Sequence, residues 1–500
     1  MNKKQKRLVR MIAIVLAALL VFSAVISAVI SIAYAEEAPA NQCELTMEYL
    51  NEEQALRMSQ RLVYSNASGR KLDRVVFYAP ANMFRRQSAL FYEGDNLNKA
   101  FPNGYLPGGI DLTSVRVNGS KADWGYQGKD ETFLRVACNL EPGESCEFVF
   151  DYYLLLTANG AFMGVSEGEC RLSDFYFAPA ATDTEGEFIL NMATSYTRYI
   201  DTPAADYTAT ITLPDALILT TGGAESHTEG ANKTRTWTVQ AKDVHDFSMV
   251  ISQGLNERTT STASGVEVRL RTDVKKNASQ VLQTAVEAIE TCEGWFGPLP
   301  FEQIDIVQAD YLPGALPHTA CLWLPENVLK EGGRTLDHAI RFFIAQQCFG
   351  RSAWAHPASD AWLSDSVSEF LAYLMLEERE GHDAYLAALN EDLVDALQLT
   401  IPGGLVVSSD ASLFTEYEYE IVVRQRGAVV FHELYTAMGR EDLIGALKLF
   451  HERGLAVDVL SEMDLVNALN EASGGSWKNY LTDWVFNVGD YVNQDIFWLD

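Results

Sequence analysis

Side chains able to bind a metal or attack a substrate are few in this chain: eight histidines and seven cysteines in 500 residues. A helix grips a metal with two histidines four residues apart, because both rings then leave one face toward a single ion. "HELYT", from His432 to Thr436, begins like such a pair, but Thr436 fills the fifth position. It reads as a surface His-Glu pair. The cysteines (Cys43, Cys138, Cys146, Cys170, Cys292, Cys321, Cys348) include no Cys-x-x-Cys spacing, so a cysteine-built zinc site is disfavoured. Cys138 and Cys146 flank "NLEPGES", which reads as a hairpin turn, and could be bridged; an odd total leaves one thiol free or paired between chains. Cys348 has no base identifiable near it and reads as a small buried hydrophobe. No Gly-x-Ser-x-Gly elbow, Walker loop or Gly-x-Gly-x-x-Gly following a strand occurs.

Two helical stretches carry more information. "RFFIAQQCFG" covers residues 341–350, and "AWLSDSVSEFLAYL" follows it, with eighteen residues between Gln346 and Asp365. The pair resembles the aminopeptidase N-type (gluzincin) metallopeptidases. Their zinc helix reads His-Glu-x-x-His-Gln-Trp-Phe-Gly, and their next helix reads Trp-Leu-Asn-Glu-Gly. Ala345, Gln347, Phe349 and Gly350 line up with the first motif, and Trp362 and Leu363 with the second. "GALPHTACLWLPE" sits where the family places a Gly-Ala-Met-Glu-Asn strand, "RQRGAVVFHEL" matches its Tyr-x-Lys-Gly segment, and "SGGSWKNYLTDWVFNVGD" resembles the close of its catalytic domain. The resemblance is convincing over about residues 190–490 and looser before them.

The resemblance implies a thermolysin-like fold and a cleft lined by Gly314, Ala315, Leu316, Pro317 and His318. It also implies which positions should do the chemistry, and there the chain departs from the family. The first zinc histidine falls on Phe342, the general-base glutamate on Phe343, the second histidine on Gln346 and the third ligand on Asp365. The amine-binding glutamate falls on Pro317 and the catalytic tyrosine on Arg424. A phenyl ring has no lone pair to give, and an amide is a poor zinc ligand beside imidazole or carboxylate. No zinc or other cofactor is therefore expected at these positions. Burial of both rings is expected to stabilise the helix in the metal's place. A substitute site from His318, His338 and Asp365 is the alternative, and zinc is expected only if that holds. Glu369, one turn after Asp365, reads as a solvated or capping charge.

The elements that must position these residues fall into two regimes, a multidomain chain of mixed α and β class. From 40 to 257, short alternating runs such as "CEFVFDYYLLL" and "DYTATITLP", broken by "LPGG", "EPGES" and "TTGGAE", read as an N-terminal β-saddle or sandwich with no helical window. "NGYLPGGID" is a turn cluster within it. From 264 to 500 the pattern becomes the thermolysin-like α/β domain with a mostly helical C-terminal half. "NASQVLQTAVEAIETCEGWFG" is an amphipathic helix stopped by Gly297, and "QIDIVQA" and "ACLWLPENVL" read as strands.

Residues 1–35 read as a targeting element, with a basic run, an apolar run without charge and "AYA" before "EEAP". Cleaved signal peptide and retained anchor through residues 11–32 both stay open, and either exports the rest. The chain carries 38 basic and 68 acidic residues, a net charge of −30, which disfavours nucleic acid and anionic lipid as partners. The expected function is an exported, non-catalytic homologue that binds a peptide or protein in the cleft between its domains. An active peptidase with a relocated metal site, or a structural extracytoplasmic part of a membrane assembly, are the alternatives.

Overall fold

The computed structural model describes residues 41–485, except 51–53, 88–96, 99, 129, 160–161, 167, 184, 192–193, 195–199, 310–314 and 400–403. The targeting segment and Gly314 therefore lie outside the described residues.

Period-two alternation builds the N-terminal half. In Asn41–Leu50 the inward Cys43, Leu45 and Met47 are buried, while Glu44, Thr46 and Glu48 between them are exposed. That strand lies in an eight-stranded sheet ordered Ala224–Glu229, Thr234–Val244, Ala205–Pro214, Asn41–Leu50, Ala55–Ser65, Ser145–Leu155, Gly109–Val117, Ser120–Lys121. Asn41–Leu50 and Ala205–Pro214 pair in parallel; the other neighbours are antiparallel. Two four-stranded sheets pack with it around one apolar core, in which Phe77, Phe148, Phe150 and Phe177 meet.

The hairpin expected around "NLEPGES" does not form. Phe133–Leu140 pairs with Leu72–Tyr78 and Trp124–Gln127, whereas Ser145–Leu155 pairs with Ala55–Ser65 and Gly109–Val117. The turn thus passes the chain from one sheet to another. Cys138 faces the Leu72 carbonyl and Cys146 the Asn118 side chain, and both thiols are free.

The second half opens on a five-stranded sheet ordered Asn256–Ser261, Glu267–Thr272, Gln303–Gln308, Cys321–Leu324, Leu316–His318. Glu267–Thr272 and Gln303–Gln308 run parallel, so the chain must cross over between them, and helix α1 (Ala278–Phe296) makes the crossing. The strand expected through "ACLWLPENVL" stops at Leu324: Pro325 precedes a short helix, Glu326–Glu331, that ends at Gly332. Proline before a glutamate in the first turn is a helix-start signal that outweighs the apolar run. The helices that matter next are α2 (Gly333–Cys348), α3 (Trp362–Glu380) and α4 (Gly427–Met438), the last preceded by a π-helical turn, Glu420–Arg426. The expected order of mixed sheets followed by a helical half is what the structure has. Among the described residues no helix is long and apolar enough to cross a membrane.

Candidate functional site

Helix α2 presents His338, Phe342 and Gln346 at four-residue intervals, hence on one face, and that face meets α3 and the π-helical turn. Each of the three side chains is engaged. His338 Nε2 lies 2.7 Å from Glu369 Oε1, and the two form an ion pair when the ring is protonated. The Arg424 guanidinium lies 4.1 Å from the centre of the Phe342 ring. Gln346 Nε2 donates to Asp365 Oδ1 over 2.6 Å, and the Tyr419 hydroxyl donates to Asp365 Oδ2 over 2.7 Å. Two of the three positions where the family's ligands would fall are thus hydrogen-bonded to each other, and the third is a ring under a guanidinium.

Arg424 is the electrostatic centre of this cluster. It donates from Nε to Glu369 over 3.1 Å and from Nη1 to Glu420 over 2.7 Å. Burial alone would raise the Glu369 carboxyl, but Arg424 and His338 on either side hold it down to about 2. Burial likewise works against the Arg424 cation, yet Glu369 and Glu420 push its pKa above the ordinary arginine value. The cluster is a mutually neutralising set of partly exposed charges around one buried carboxylate, Glu369.

Several expectations change here. Glu369 is buried at 3% exposure, not solvated, because Arg424 and His338 replace its water. Of the two phenylalanines only Phe343 is fully buried; Phe342 is half-buried because its face is given to Arg424. His432 is buried and its Nδ1 lies 2.7 Å from the Tyr385 hydroxyl, so "HELYT" is no surface pair. Burial lowers its pKa to about 4. Cys348 is buried, as read.

The substitute set of His318, His338 and Asp365 is not brought together. His338 faces Glu369, Asp365 is held by Gln346 and Tyr419, and His318 packs on Trp323 with its Nδ1 3.4 Å from Asp246. Among the described residues no group of three His, Cys, Asp or Glu side chains could hold a metal ion.

The cleft positions Ala315, Leu316 and Pro317 are partly exposed, and His318 is buried. Gln347 ties them to α2: its Oε1 accepts from Ala320 N over 2.8 Å and its Nε2 donates to the His318 carbonyl over 3.2 Å. Arg351 donates to the Pro317 carbonyl over 2.9 Å. Asp246 from the β-rich half accepts from Thr319 N over 3.0 Å, tying this segment to that half. Sequence reasoning missed Tyr419 and Glu420; a capping box of Thr415 and Glu418 marks the helix start that delivers them.

This architecture has solved counterparts. The M1 zinc metallopeptidase from Deinococcus radiodurans superposes with a TM-score of 0.62 at 17% identity, covering 89% of this chain and 92% of that one. A two-domain M1 zinc metallopeptidase bound to L-tryptophan gives 0.63 at 17% identity, covering 89% and 94%. No family model matches the chain. Aminopeptidase N from Lactococcus lactis subsp. lactis is 24% identical over 258 residues, and that from subsp. cremoris strain MG1363 is 25% identical over 259. Each alignment spans 47% of this chain and 30% of the relative's own length. The fold is thus the two-domain one of M1 zinc metallopeptidases. The homologues and structural neighbours together support an aminopeptidase N-type family for this chain.

Proposed function

We propose that the chain is an exported, non-catalytic relative of the zinc aminopeptidases that binds a peptide or protein segment in the cleft beside Ala315–His318. One observation carries this reading: Gln346 and Asp365 are bonded to each other at 2.6 Å while Arg424 covers Phe342, so the donor set suits a fixed cation better than a zinc ion. Zinc in such a helix pair needs three protein ligands and an open position. Here one carboxylate remains, and its two oxygens already accept hydrogen bonds from Gln346 and Tyr419. The general base is also missing, since Phe343 cannot take a proton from water. The cleft's own supports, Gln347, Arg351 and Asp246, are intact, which favours a binding role over a vestigial one.

A panel of aminoacyl-anilides, each incubated with the full chain and zinc, tests the loss of chemistry; no turnover above the metal-only rate is expected. Chelator-sensitive hydrolysis would overturn the proposal. Immobilised peptide libraries test the binding role, and capture that is lost on Pro317→Arg is the expected result.

A further inference from the structure

Lined from α2 by Arg341 alone, a pocket of about 340 Å³ opens among α1, α2 and α3. That volume lies near the lower end of the ~300–1,000 Å³ typical of small-molecule sites. Arg341 lines it, and the residue is only 4% exposed. Its Nη2 is buried with no hydrogen-bond partner, and it forms no ion pair among the described residues. Buried guanidinium groups in folded proteins are almost always paired, because an unpaired buried charge costs several kcal/mol.

The neighbouring carboxylates are already committed. Glu287 pairs with Arg379 at 2.8 Å, Glu378 pairs with Arg440, and Glu290 accepts from Ala263 N over 2.8 Å. Asp337, whose charge acts most strongly on Arg341, accepts from Gln280 and Thr284, so the pocket presents a guanidinium that has charged neighbours but no direct ion pair among the described residues, beside the ion-paired Arg379 and three carboxylates. Those carboxylates repel a multiply charged anion such as phosphate, whereas a single carboxylate matches the planar fork. Ala288 and Met375 in the lining offer an apolar wall to the rest of the ligand.

We propose that this pocket binds a small organic monocarboxylate, anchored on Arg341, with its hydrocarbon part against Ala288 and Met375. The inference does not depend on the reading of the zinc positions. Free amino acids and simple short-chain acids share the carboxylate, and the test separates them.

Calorimetric titration of the full chain with leucine, isocaproate and inorganic phosphate gives the arms. Saturable one-site binding of at least one carboxylate, and none of phosphate, is expected; tighter leucine than isocaproate marks an amino acid, the reverse a simple acid. Arg341→Met should weaken binding by about tenfold or more, the scale of losing one bidentate charge-assisted pair. It should also leave the thermal midpoint unchanged or higher, because an unpaired buried cation has been removed. Ala288→Leu, which adds bulk at the pocket's apolar wall, should abolish binding too. Absence of saturable heat from both carboxylates, or undiminished affinity in either variant, overturns the proposal.

Discussion

At the scale of single residues, Phe342, Gln346 and Arg424 form one connected set with Asp365 and Glu369. The Arg424 guanidinium lies over the Phe342 ring and is fixed there by Glu369 and Glu420. From this it follows that Phe342→His with Gln346→His will not restore zinc binding while Arg424 stays, because the arginine still occupies the face. Adding Arg424→Tyr should raise zinc affinity by about ten- to a hundredfold over the double variant, the scale at which groups around a metal tune it. A zinc-indicator competition assay measures the difference, and equal affinities would count against this picture. Glu369→Ala should cost about 1–3 kcal/mol in denaturant unfolding, since it removes the charge-assisted hydrogen bonds that the buried carboxylate accepts from Arg424 and His338. The pH sign follows from the same pair. Glu369 titrates lower folded than unfolded, so its contribution is whole above its ordinary value near 4.5 and fades as pH falls toward 2.

At the scale of elements, the approach of α4 to α3 sets where Arg424 can reach. A side chain at Gly427 would collide with Ser366 on α3, and Ser366 Oγ donates to the Val423 carbonyl within the π-helical turn over 2.6 Å. The extra residue of a π turn frees a carbonyl, and Ser366 satisfies it. Gly427→Ala is expected to destabilise by about 1–3 kcal/mol through overpacking, read as a lower urea midpoint. A midpoint unchanged within error would show that the helices can part freely. The motifs of α2 and α3 were legible because their spacing is a local property of the chain. The Arg424 network was not: Glu369 and Arg424 are 55 residues apart, and nothing in either neighbourhood announces that they meet. The failed hairpin at "EPGES" has the same cause, since a turn signal says that the chain reverses and not which sheet receives it.

At the scale of the whole molecule, the two halves are joined through His356, whose protonation acts on stability in the opposite sense to that of two histidines buried within the helical half. His356 in the helical half holds Asp201 in the β-rich half at 2.5 Å, and that hydrogen bond raises its pKa against the effect of burial. A raised histidine stabilises fully below its ordinary value, and the contribution is lost as pH rises through the folded one. Burial instead lowers His432 and His451 to about 4, so their contribution is present above ordinary histidine pKa and is lost as pH falls toward 4. Stability should therefore peak near the ordinary histidine pKa of 6.5 and fall on both sides of it, and Asp201→Asn should remove the alkaline fall while leaving the acid one. Thermal midpoints across a pH series check this; an alkaline fall that survives Asp201→Asn would assign it elsewhere. The division into a β-rich and a helical half was legible from periodicity alone, whereas the contacts between the halves, such as His245 stacked on Trp354 at 4.0 Å, came only with the fold.

A calorimetric titration of zinc into the metal-free full chain bears most directly on the central claim. With a ring, an amide and a doubly hydrogen-bonded carboxylate at the three ligand positions, only weak, non-stoichiometric heat is predicted. A sharp one-to-one isotherm that disappears in Asp365→Ala would contradict it.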